Sequence, residues 1–159
     1  MHGYSYGFAI DRSAAADVRI GIGDVRFSVK EVDIGMAADI GVLSRLPKIV
    51  GNFGWVKEVA LSARLFGAEE ALRVIFVNSI HDPKEAMMGA ALDIANLIAQ
   101  KSPVALQGTK ELLHWSRGHT IAEGLRYTAV WSSAAMQTGD VSKASTAGIE
   151  KRTPTFEKL

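Results

Sequence analysis

VKEVDIGMAADIGVLSRLPKIVGN, residues 29–52, sets two acids, Glu31 and Asp39, among Val, Ile, Met, Ala and Gly. A third acid, Asp11, stands in comparable surroundings in GFAIDR, residues 7–12. Carboxylates framed in this way are expected to lose water on folding, and desolvation raises a carboxyl pKa towards the range useful for proton transfer near neutral pH. Such acids cost stability unless they pair or do chemistry. Taken singly, each would read as a solvated surface group or a helix cap.

Outward from that block, composition narrows the function classes. The chain has 159 residues, is 48% hydrophobic and has a mean hydropathy of +0.11. It can bury a core, and its length suggests one domain. Eighteen basic residues against 17 acidic ones leave a net charge of +1, so no strong field points to nucleic acid or a membrane surface. Cysteine is absent, which excludes disulfides, thiol catalysis and cysteine metal sites and is compatible with a reducing compartment. No apolar run approaches the roughly 18 residues of a membrane span, and the N-terminus lacks a signal pattern. His2, His81, His114 and His119 have no metal spacing, and there is no nucleophile motif.

The organisation shifts from mixed to helical, an α/β (α+β) chain with short strands in its first third. Residues 1–52 read as a partial core carrying the acids, and 53–159 as a helical region belonging to the same structural unit. Gly7 to Ala16 reads as a turn opening into a helix, and Asp17–Ile22 and Val25–Val29 as strands joined by a hairpin turn at Gly23-Asp24. These strands are expected to be sheet edges without neighbours. Pro47 is expected to interrupt a helix. Asp82-Pro83 with Glu85, Ser102-Pro103, and Thr120 with Glu123 are helix starts. Met87, Ala90, Ala91, Ile94, Leu97 and Ile98 recur at helical spacing, so one face there should pack inward.

HGYSYGFAID (residues 2–11), ADVRI (16–20), the 29–52 block, KSPVALQGTKELL (101–113), the helix around Trp131 and the closing GIEKR and PTFEKL together resemble one family. It is the crotonase superfamily of coenzyme A thioester hydratases and isomerases, and within it the Δ3,5-Δ2,4-dienoyl-CoA isomerases. The resemblance covers nearly all of this chain and the later half of a family member. It implies a truncated β-β-α spiral, in which Asp11 falls on the acid after the glycine turn, Glu31 on one common to hydratases and isomerases, and Asp39 on one typical of dienoyl isomerases.

The implied reaction, in the oxidation of unsaturated fatty acids, moves a proton along a 3,5-dienoyl thioester to give the 2,4-isomer. One carboxylate takes a proton from C2, the thioester oxygen accepts enolate charge, and another acid protonates C6. Glu31 and Asp39 are the expected pair, in either order, with Asp11 hydrogen-bonding and tuning Glu31. Of the family's two oxyanion donors, one lies ahead of Met1; the other would be the N–H of Phe8 in the Gly7-Phe8-Ala9 turn, worth ~3 kcal/mol of barrier. Phe8 stands where many members have glycine, and Arg12 where an apolar residue is usual.

The resemblance also places Lys151 against coenzyme A phosphates, while Gly148 replaces an aromatic near the adenine. Phe8, Ile34 and Met36 could wall an acyl pocket or be core. Trp55, Trp115 and Trp131 read as packing or interface residues. No cofactor is implied beyond the coenzyme A of the substrate, and no metal. Family members assemble as trimers or hexamers, and this chain is expected to self-associate. Glu157-Lys158-Leu159 resembles a peroxisomal address with an atypical first residue; a mitochondrial location is equally open. Other readings remain: a catalytically impaired chain acting only as an oligomer subunit, an enoyl-CoA hydratase, or a 3,2-enoyl-CoA isomerase.

Overall fold

A computed structural model describes residues 1–157 and divides the chain into two compact units, Met1–Leu92 and the residues from Asp93 on. The sequence boundary at residue 52 falls inside the first unit, between two helices that pack on each other.

The first unit opens with β1 (Tyr4–Tyr6) and α1 (Phe8–Ala14), then β2 (Ile20–Gly21) and β3 (Arg26–Ser28). A 3-10 turn (Glu31–Ile34) leads to α2 (Val42–Ile49), α3 (Phe53–Ser62), β4 (Phe66–Gly67), α4 (Ala68–Arg73), β5 (Ser79–Ile80) and the start of α5 (Lys84–Ala99). β3 lies between a parallel β1 and an antiparallel β4, and β2 pairs in parallel with β5.

The expected hairpin is therefore not formed. Val25 N–H does close a tight turn on the Ile22 carbonyl, but the two strands it joins enter different sheets. The carboxylate of Asp82 accepts the Gly23 N–H at 3.0 and 3.2 Å, and Asp24 Oδ1 accepts the Gly3 N–H, which commits the turn to partners outside a hairpin. Asp82 is consequently a strut for that turn rather than the cap of α5. Nor are these strands bare edges: β1 covers β3, while Met1 donates to the Ile20 carbonyl and accepts from Ile22 N–H beside β2. Pro47 lies inside α2, in its last turn, where little helix remains to be disrupted.

The core is aromatic at its centre. Phe27 of β3 stacks on Phe66 at 5.1 Å and meets Phe76 edge-on at 5.4 Å, and Trp55 closes on Phe66 at 5.0 Å. Ile10, Val25, Val42, Leu46 and Val59 complete it from the surrounding elements. Asn52 caps α3 by accepting the Trp55 N–H, and Trp55 Nε1 donates to Glu70 Oε1 at 2.7 Å. Arg64 bridges Glu58 and Glu70 at the rim.

In the second unit α6 (Pro103–Ser116) and α7 (Ile121–Ala135) pack together, followed by α8 (Gly139–Ile149). The start signals there are formed: Ser102 accepts from Ala105 N–H, and Thr120 with Glu123 makes a complete capping box. Gly108 is buried under Trp131, whose indole a Cβ at Gly108 would strike. The apolar face of α5 packs inward only at its start. Met87 is buried against Ile20 and Ile22, whereas Leu97 is 56% exposed and Ile94 and Ile98 are each 37% exposed.

The Arg64 hydrogen bond holds the Glu70 carboxyl below the ordinary range, helped by Trp55 and opposed by burial. A depressed carboxyl pKa stabilises the fold above the unfolded value of about 4.3 and ceases to do so as pH falls through the folded value. Urea midpoints should accordingly show the parent chain more stable than Glu70→Gln at pH 7, with the gap closing below about pH 4; a gap independent of pH would contradict this assignment.

Candidate functional site

The site begins at Gly7. Its φ of +50° is open to glycine and strained for other residues, and it lets the chain pass directly from β1 into α1. Gly7 N–H donates to the Ser28 carbonyl at 3.0 Å, and the Gly7 carbonyl accepts from Ile10 and Asp11. The N–H groups of Phe8 and Ala9 come before Ile10, the first residue to donate within the helix, so they are the free donors that any helix start presents. The Phe8 side chain is 64% exposed and leaves that turn open.

Glu31, the first residue of the 3-10 turn, brings its carboxylate against the same glycine: a Cβ at Gly7 would lie 3.2 Å from Glu31 Oε1. The residue is half-buried, and its Oε2 is buried without a hydrogen-bond partner. Gly7 and Glu31 are thus one feature, a carboxylate seated so close to the turn that a Cβ at Gly7 would press on it.

Asp11 lies on the inner side of α1 with 1% of its surface exposed. The expected hydrogen bond to Glu31 is not formed. Oδ1 accepts the buried N–H of Val42 at 2.7 Å, while Oδ2 has no partner. The reason is direction: α1 packs on α2, so an inward acid on α1 meets the start of α2, while the Glu31 carboxylate sits at Gly7.

Asp39 follows Gly35, which caps the 3-10 turn in the left-handed region at φ +79°, and precedes Gly41 at φ +121°. Between these glycines the chain runs over the surface, and Asp39 is exposed rather than desolvated. Ile34 and Met36, 75% and 41% exposed, are surface residues and not core. Together with Phe8 they form apolar surface on the elements that carry the acids. Lys151 is an exposed residue at φ +53° after α8, in the second unit. No cluster of metal-ligating side chains occurs among the described residues.

Sequence reasoning did not single out the Val42 N–H as a partner for Asp11. A signal existed: the helix beginning at Val42 is preceded by glycine, which offers no side-chain cap, and a buried acid elsewhere needed a donor.

Comparison with known proteins adds an independent line. The model of the enoyl-CoA hydratase/isomerase family matches residues 1–158. The chain belongs to that family. It is 46% identical over 162 residues to the mitochondrial Δ3,5-Δ2,4-dienoyl-CoA isomerase of Homo sapiens, covering 100% of this chain and 49% of that protein. The peroxisomal enzyme of that name from Arabidopsis thaliana is 40% identical over 159 residues, covering 100% and 57%. A crystal structure of enoyl-CoA hydratase from Mycobacterium tuberculosis H37Rv superposes with a TM-score of 0.91 at 27% identity, over 99% of this chain and 62% of that one. The mixed α/β architecture is therefore that of the crotonase fold. The chain spans about half the length of the curated relatives it matches.

Gly7→Ala should displace the Glu31 carboxylate and strain the turn, lowering stability by about 1–3 kcal/mol. Chemical denaturation of the variant checks this; an unchanged midpoint would mean that the turn tolerates a side chain.

Proposed function

We propose that this chain carries the proton-transferring acids of a Δ3,5-Δ2,4-dienoyl-CoA isomerase. The carrying observation is the Glu31 carboxylate, half-buried against the Gly7 turn with one oxygen lacking a partner. The identities to dienoyl-CoA isomerases, 46% and 40%, support this reaction over hydration.

Glu31 and Asp39 form the pair. One accepts the proton from C2 of the bound 3,5-dienoyl thioester, electron density moves onto the thioester oxygen, and the other delivers a proton to C6 as the double bonds shift to 2,4. Charge at the thioester oxygen is met by N–H donors at the start of α1, with Phe8 foremost. Asp39 reaches its working environment only when the acyl chain, lying over Phe8, Ile34 and Met36, excludes water from it. Lys151 is assigned to the coenzyme A phosphates, where an exposed ammonium acts as a point charge. No cofactor or metal takes part in this scheme. A mitochondrial or peroxisomal location is supported by the names of the two relatives. In Glu157-Lys158-Leu159, the last two residues lie outside the described ones.

Spectrophotometric assay with a 3,5-dienoyl-CoA thioester should show isomerisation that Asp39→Asn slows by about 10²–10⁴-fold. A rate indifferent to the substitution, or addition of water to a 2-enoyl thioester as the faster reaction, would remove the isomerase assignment.

Assembly with further copies belongs to the same reading, since Leu97, Ile121, Leu125, Val130 and Ile149 of the helical region are each more than half exposed. Light scattering should accordingly give a mass above the monomer's 17.1 kDa. A monodisperse monomer with a sharp melt would contradict it.

A further inference from the structure

The strongest unassigned feature is the buried carboxylate that the proton scheme does not use. Asp11 is 1% exposed, and the single hydrogen bond of its side chain runs from the Val42 N–H to Oδ1 across 31 residues of sequence. Val42 is the first residue of α2 and is itself fully buried. The residue before it, Gly41, sits at φ +121° and has no side chain with which to cap the helix. The donors in the next turn, Ser44 and Arg45, turn back to the Gly41 carbonyl, which leaves the Val42 N–H to be satisfied from elsewhere.

We propose that Asp11 is a positioning residue: as the cap of α2, supplied from α1, it anchors the Gly41–Val42 end of the acid-bearing segment and thereby sets where Asp39 stands. Its other end leaves the 3-10 turn, where Met36 N–H donates to the Glu31 carbonyl at 3.2 Å, and in the stretch between, Met36, Ala37, Asp39 and Ile40 are exposed while Ala38 packs against the core. Arg45 adds a local brace through Nη1 to the Ile40 carbonyl at 3.1 Å. Asp11 acts through Val42 and neither gives nor takes the migrating proton. The catalytic half of this inference rests on the isomerase reading; the anchoring half does not.

Asn at position 11 keeps an oxygen that can accept from Val42 but cannot exchange protons as an acid; Leu keeps the size and has neither property. The test is hydrogen exchange of the Val42 amide, resolved by NMR, in the parent chain, Asp11→Asn and Asp11→Leu, together with kcat and KM on a 3,5-dienoyl-CoA thioester. Protection should persist in Asp11→Asn and fall about tenfold or more in Asp11→Leu. The rate should follow it, as a kcat loss in Leu with KM little changed and recovery to within about tenfold of the parent in Asn. Should Leu fail to fold, the Asn arm decides. Loss of Val42 protection in Asn, or full protection in Leu, overturns the anchoring role. Full protection in Asn with a rate lowered as far as in Asp39→Asn overturns the proposal in the other direction and makes Asp11 a proton carrier. An inactive parent chain would refute the isomerase reading alone, and the exchange data would still decide the anchor.

Discussion

One glycine constrains the rest of the first unit. Gly7 turns the chain from β1 into α1 at φ +50°, and the same backbone that makes the turn fastens it to β3 through the Ser28 carbonyl. Because no Cβ occupies the inside of the turn, the Glu31 carboxylate can close on it. The local conformation and the seating of the acid thus follow from a single missing side chain.

The three acids occupy three environments, and the separate tasks proposed for them rest on that difference. Asp11 is enclosed and committed to a backbone donor, Glu31 is half-enclosed with a spare oxygen, and Asp39 lies in water. An enclosed carboxylate with one satisfied oxygen suits holding structure in place. A half-enclosed one suits proton exchange, and an exposed one needs a ligand to desolvate it before its chemistry changes.

Much of this was legible in the residues. Ser102-Pro103 and Thr120 with Glu123 carry their capping information within four residues, so the helix starts follow from local chemistry alone. The Gly23-Asp24 turn was equally legible, but the partners of the strands it joins were not. Those choices depend on Asp82 and on Met1 to Tyr6, distant in sequence and without any periodic signature. The α5 stripe shows the complementary limit: its spacing marks which side is apolar but cannot say how far along the helix a covering surface extends. Within the site, apolar neighbours in sequence foretold the burial of Asp11 correctly, but the same expectation failed at Asp39, which is exposed in a segment that runs between the positive-φ glycines Gly35 and Gly41.

The placement of the three tryptophans has a spectroscopic consequence. Trp55 is the lone indole of the first unit, 7% exposed and donating to Glu70, whereas Trp115 and Trp131 both belong to the helical region, Trp115 with its ring stacked 3.6 Å from His119. Replacing that outer pair with phenylalanine would leave an emission signal from Trp55 alone, so fluorescence could follow the acid-bearing core separately from the helices.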